Sequence, residues 1–122
     1  MQTRKQQFGT DSESTAEKYL KKMGYKIIKR NYRTKFGEID IIAKDKDTLV
    51  FVEVKARKSG AYNPKEAVTA NKQRKISMAA LYYLKSTRQI KARARFDVVS
   101  IDSGDNGETV EIVKNAFELA YG

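Results

Sequence analysis

Apolar positions along this chain follow two rhythms. Within residues 37–57 they alternate. Ile39, Ile41 and Ala43 form one row, Val50, Val52 and Val54 a second, and the polar Asp45, Lys46, Asp47 and Thr48 separate them. Alternation of this kind, rich in β-branched side chains, predicts two strands, and the polar break predicts a hairpin tip. A one-residue slip would turn one apolar row to the wrong face, so the pattern also predicts the register. It sets Ile41 opposite Val52, Ile39 opposite Val54, Asp40 opposite Glu53 and Glu38 opposite Lys55.

Elsewhere the spacing is helical. Ala16, Tyr19, Leu20 and Met23 predict a helix capped by Ser12 and closed by Gly24, with Tyr25 as the apolar contact beyond it. Ile76, Ala80, Tyr83 and Leu84, broadened by Met78, Ala79, Leu81 and Tyr82, predict a second helix over about residues 71–86. Residues 25–33, 96–101 and 110–113 read as further strands. Turns are expected at 34–37 and 104–107, and a loop at 59–65 around Gly60 and Pro64. Phe117, Leu119 and Tyr121 are expected to pack the tail down. The expectation is an α/β fold: one domain over residues 1–122, a mixed β-sheet flanked by helices, with residues 1–9 a flexible basic arm.

The second face of the hairpin is either a candidate site or a solvated sheet edge with a Glu–Lys cross-strand pair. Near the tip it holds Ile42, Leu49 and Phe51; at the far end it holds Glu38, Asp40, Glu53 and Lys55. Directly opposed side chains stand about 4.5–5.5 Å apart at Cβ, where two carboxylates repel unless a cation lies between them. Hard divalent cations such as Mg²⁺ are bound by a few carboxylates together with water and phosphate oxygens. Glu13 falls on the inward side of the first helix, where it also reads as a first-turn acid that complements the helix dipole, and Lys72 falls on the inward side of the second. Lys72, Arg74 and Lys75 crowd the second helix's first turns, where cations oppose the helix dipole. A bound phosphate would account for them, and so would a solvated basic turn.

Composition narrows the options. The chain has 122 residues, 40% hydrophobic and 33% charged, with no histidine and no cysteine. That removes disulfides, thiol nucleophiles, zinc sites and histidine bases, and leaves oxygen donors for any metal, which favours Mg²⁺ or Mn²⁺. The formal net charge is +10, and a basic domain points to a polyanion partner. The opening residues contain no apolar core of a signal peptide, and no run reaches the ~20 apolar residues of a membrane helix. The location expected is cytoplasmic.

These words together resemble a known superfamily. Glu13-Ser-Thr-Ala-Glu-Lys-Tyr-Leu20, Asn31-Tyr-Arg33, Gly37-Glu-Ile-Asp40, Val50-Phe-Val-Glu-Val-Lys-Ala-Arg57, Lys72-Gln-Arg74 and Arg95-Phe-Asp-Val-Val99 follow in order. The set resembles the PD-(D/E)XK nucleases. More closely it is similar to the YraN family, bacterial proteins regarded as endonucleases and distantly related to archaeal Holliday-junction resolvases. The resemblance implies a restriction-endonuclease-like core and a divalent-metal-dependent endonuclease acting on DNA, branched or junction DNA among its substrates.

It implies that Asp40, Glu53 and the backbone carbonyl of Val54 bind one or two Mg²⁺ or Mn²⁺ ions. Lys55 would orient or activate water, and Glu13 would complete the site. Arg57, Lys72, Arg74 and Lys75 would hold the nucleic-acid backbone. Ser12 stands where the family usually has glycine, and Ile39 where the motif's proline would be. The alternative is a non-catalytic nucleic-acid-binding module on the same fold. Membrane and zinc are not expected partners, and a homodimer is left open.

Overall fold

A computed structural model describes residues 4–57, 68–104 and 107–117, with side chains from Ser12 onward. The order is α1 (Arg4–Lys22), β1 (Lys26–Arg33), β2 (Glu38–Asp45), β3 (Thr48–Arg57), α2 (Ala70–Ser86), β4 (Ala94–Gly104) and β5 (Gly107–Phe117). The strands make one mixed sheet in the order β1-β2-β3-β4-β5. All neighbours are antiparallel except β3 and β4, which run parallel. Two parallel neighbours need a crossover between them, and α2 lies within it.

Each helix covers one face of the sheet. Ala16 and Leu20 of α1 pack with Tyr25, Ile41, Ala43, Val50, Val52, Val99 and Ile101. On the other face Ile76, Ala79, Ala80, Tyr83 and Leu84 of α2 pack with Ile42, Leu49, Phe51, Phe96 and Val98. β3 is therefore buried on both sides, as a central strand beside a parallel partner should be. Of the stripe expected for α2, Ile76, Ala79, Ala80, Tyr83 and Leu84 are buried, Met78 and Leu81 are partly buried, and Tyr82 is half exposed.

Local chemistry fixes the element ends. α1 stops in a Schellman motif: the Tyr25 N–H donates to Leu20 O at 2.9 Å and the Gly24 N–H to Lys21 O at 3.0 Å. Gly24 has φ +97, a conformation that glycine reaches without strain. At its other end α1 begins at Arg4, well before Ser12. Ser12 is thus a buried residue inside the helix and not its cap, and residues 4–9 of the expected arm are helical. Thr69 caps α2 by accepting the Lys72 N–H at 3.2 Å. The expected loop at 59–65, Leu119, Tyr121 and the centre of the β4–β5 turn lie outside the described residues.

The hairpin register holds from Asp45↔Thr48 to Ile41↔Val52, as the apolar pattern predicts, and pairing then ceases. Beyond it the strands follow another plan. Ile39 lies with the α2 core while Ile41 lies with the α1 core, so the β2 row changes face across Asp40. β1 changes face with it. Arg30 reaches Glu17 of α1, Tyr32 packs edge-on to Tyr83 of α2, and Asn31 between them has φ +53. Asparagine is among the few residues that adopt this left-handed conformation readily. The expected Ile39–Val54, Asp40–Glu53 and Glu38–Lys55 ladder pairs therefore do not form.

Candidate functional site

Where the ladder stops, a side chain replaces a backbone acceptor. The Val54 N–H donates to Asp40 Oδ2 at 2.8 Å. This satisfies a buried backbone donor that β2 no longer reaches, and it fixes Asp40 against β3. Glu53, next along β3, alternates with Val52 and so shares the α2 face with Phe51. It is buried, with 5% of its surface exposed.

Two lysines meet Glu53. Lys72 Nζ lies 2.6 Å from Glu53 Oε1, and Lys55 Nζ lies 3.7 Å from the same oxygen. Lys72 projects from the first turn of α2, and Thr69 holds that turn in place. The inward lysine thus has a protein partner. Its ion pair with Glu53 offsets the unfavourable helix dipole at this cation.

The electrostatics are those of two carboxylates near enough to feel each other's charge. Burial, then the Glu53 charge, push the Asp40 carboxyl up to about 7, against the pull of the Val54 N–H and Lys72. Glu13 contributes to this field from α1. Its own carboxyl is raised by burial, with Arg30 opposing and Glu38 and Glu53 adding. Lys55 is lowered by burial and by the Lys72 ammonium beside it. Burial also works against the charge of Lys72, but its bond and attraction to Glu53 prevail and its pKa is raised.

Asp40, Glu53, Lys55 and Lys72 therefore form one cluster, with Glu13 close enough to be felt. Arg57 is half-buried at the end of β3, two residues beyond Lys55, while Arg74 and Lys75 are exposed on α2. Among the described residues no three acidic side chains make a metal cage by themselves. The donor set still fits a hard divalent ion, because carboxylates so placed that burial and the Glu53 charge raise the Asp40 pKa favour a cation, and Mg²⁺ takes its remaining ligands from water and substrate phosphates.

A second polar cluster was not legible in the sequence. Asp97, fully buried on β4, accepts Arg95 Nε at 3.0 Å and 3.2 Å, the Tyr25 hydroxyl at 3.2 Å and the Asn115 N–H at 2.9 Å. Arg95 Nη2 also donates to Tyr25 Oη at 2.7 Å and to Asp45 Oδ2 at 2.8 Å. One acid within the apolar run 96–101 was the available sign, because a charge amid buried positions requires partners.

The model of the family described as Uncharacterised protein family UPF0102 matches residues 12–101. A UPF0102 protein of Desulfosudis oleivorans is 57% identical over 119 residues, covering 97% of this chain and 95% of its own. UPF0102 proteins of Geobacter metallireducens (54% identical; 93% of each chain) and Syntrophus aciditrophicus (50%; 93% of this chain, 91% of its own) are similar throughout. Among solved structures, Pyrococcus furiosus SfsA in complex with Ca²⁺ aligns over 93% of this chain and 63% of its own, with 16% identity and a TM-score of 0.39. Both the family model and the extent of these alignments identify the chain as a member of the UPF0102 family.

Proposed function

We propose that the protein is a divalent-metal-dependent endonuclease that hydrolyses phosphodiester bonds in DNA, branched or junction DNA among its substrates. The observation that carries this reading is the Asp40–Glu53 pair, a partly buried and a buried carboxylate placed together at the end of a hairpin and flanked by Lys55 and Lys72. A stable fold gains nothing from such repulsion, whereas a metal site uses it. The likeness of the Gly37–Asp40 and Val50–Arg57 words to PD-(D/E)XK nucleases points the same way.

Asp40, Glu53 and the Val54 carbonyl would hold Mg²⁺ or Mn²⁺, with Glu13 adding negative charge from α1. When bound, the ion would polarise a phosphate oxygen and lower the pKa of its water. Lys55 would orient the attacking water or a phosphate oxygen. Lys72 would leave Glu53 to the metal and turn to the scissile strand's phosphate. Arg57, Arg74 and Lys75 would hold neighbouring phosphates, contacts that give affinity without reading sequence.

The test is a cleavage panel of junction, flap, duplex and single-stranded DNA with Mg²⁺ or Mn²⁺, run beside Asp40→Asn. Metal-dependent cutting by the parent and none by the variant is expected. DNA binding that falls steeply with salt, together with no cutting of any substrate and no metal response in melting, would establish the non-catalytic binding module instead.

A further inference from the structure

A second feature of α2 lies apart from the carboxylates. The β1–β2 turn runs along this helix and is tightly built. Thr34 Oγ1 accepts the Phe36 N–H at 3.0 Å and the Gly37 N–H at 3.2 Å, while its hydroxyl donates to Gly37 O at 2.9 Å. The turn also touches the helix backbone: a Cβ at Gly37 would stand 3.0 Å from both Lys75 Cβ and Lys75 O. Only glycine permits so close an approach without a shift. Further along α2, the Phe36 and Tyr82 rings lie 6.3 Å apart at 54°.

Between turn and helix is an open hollow of about 320 Å³ lined by Arg33, Thr34, Lys35 and Tyr82. Half of Tyr82 is exposed, on the side of α2 that also carries the exposed Lys75, Lys85 and Ser86. Lys35 Nζ sits 5.3 Å over the Phe36 ring. Arg33 pairs with exposed Glu38 at 3.4 Å, a solvated bond that yields readily to a better anion. Exposed aromatic surface beside two solvated cations is the arrangement by which proteins hold unpaired nucleic acid, with rings for base faces and cations for the backbone.

We propose that this hollow is a subsite for an unpaired nucleotide, its base stacked on Tyr82 and its phosphates held by Arg33 and Lys35. Charge complementarity selects the occupant: the chain carries +10 overall, and the hollow's two charged lining residues are both cations. Within a duplex the base faces are hidden, so stacking on Tyr82 selects an unpaired strand. Tyr82 lies ten residues from Lys72, about 15 Å along the helix. The subsite deepens the nuclease reading and rests on it for its purpose: it names a substrate with an unpaired segment near the scissile bond.

The test is metal-free binding in EDTA, so it does not depend on cleavage. The probes are a fluorescent single-stranded DNA 12-mer and a blunt hairpin duplex of the same composition. Tyr82→Ala should weaken single-strand binding about tenfold, Tyr82→Phe less than about twofold, and neither should alter duplex binding. Lys35→Ala and Arg33→Ala should each lower the salt dependence by about one phosphate contact. Thermal melting controls for folding, and the exposed ring of Tyr82 makes a folded alanine variant the expected result.

Unchanged single-strand binding by folded Tyr82→Ala, or equal losses on both probes, would overturn the subsite. A parent that binds neither probe would overturn it as well. If the parent cuts DNA while Tyr82→Ala binds single strands normally, the subsite fails and the nuclease stands. If Tyr82→Ala loses single-strand binding selectively but the parent cuts nothing, the subsite stands and the nuclease fails.

Discussion

Two acids sit on the same sheet in opposite circumstances. Asp97 is surrounded by donors: Arg95, the Tyr25 hydroxyl and the Asn115 N–H meet both its oxygens. The network ties the start of β1, the hairpin tip and the last strand to β4, and its charges are matched within the protein. Asp40 has one backbone donor and a second carboxylate nearby, so burial and Glu53 push it up to about 7. The first arrangement completes a structure. The second gives both its cations to Glu53 and leaves the Asp40 carboxylate without an ion-pair partner of its own among the described residues. This difference separates a buried acid that holds the fold from one suited to hold a ligand.

The largest test breaks the closed network. Arg95→Ala leaves Asp97 charged and buried without its principal partner, and should cost about 3–5 kcal/mol in urea unfolding. A cost below about 1 kcal/mol would show that Tyr25 and Asn115 suffice and that the two clusters are less different than their geometry suggests.

The pH dependence of stability should separate them next. Asp40 has an ordinary value of 3.8 and a folded value of about 7. The folded state therefore keeps a proton that the unfolded state releases. In EDTA its contribution is harmless below about pH 4, and stability falls as pH rises from there through about 7. The slope approaches about 1.4 kcal/mol per pH unit and belongs to the Asp40–Glu53 pair jointly. Asp40→Asn should flatten this fall. Asp45, in the other cluster, is held low first by its bond to Arg95. Its contribution has the reverse sign: present above its unfolded value and lost as pH falls through the lower folded one.

Metal should act on one cluster alone. Mg²⁺ or Mn²⁺ at about 100 times its Kd should stabilise the parent by about 2.7 kcal/mol, raising its Tm. Asp40→Asn should show almost no response and, without metal at neutral pH, should be more stable than the parent by what the parent loses between about pH 4 and 7. An undiminished response in the variant would place the ion elsewhere.

The smallest effect concerns Lys55. Its 3.7 Å contact to Glu53 is the longer of the two cation contacts, and its side chain is partly exposed. Lys55→Ala should cost less than about 1 kcal/mol without metal. Metal should still raise the variant's Tm, whereas cleavage should be lost. Retained cleavage would move the water-orienting role from Lys55 to Lys72.

Much of the fold was readable because its signals are local. Alternation every second residue and recurrence every third or fourth follow from backbone geometry, and they identified the hairpin, α2 and the closing turn of α1. Ser12 shows where local reading fails. It has the chemistry of a cap, but α1 continues through it toward Arg4. The face change at Asn31 and Asp40 was equally hidden, since asparagine permits the left-handed conformation without announcing it.

The sequence by itself determined the elements, the register of the hairpin from its tip to Ile41 and Val52, the oxygen-only donor set, and the acids and lysines from which the site is drawn. Tertiary structure decided how those charges meet. It ended the ladder at Asp40, gave the Val54 N–H a carboxylate, and brought Lys72 across from another element onto Glu53. It also distinguished Asp97 from Asp40, two acids that each follow an apolar residue in a strand. The physical reason is range. Strand and helix periods are fixed by neighbours along the chain, whereas the energy of a buried charge is set by whatever the fold places within a few ångströms of it.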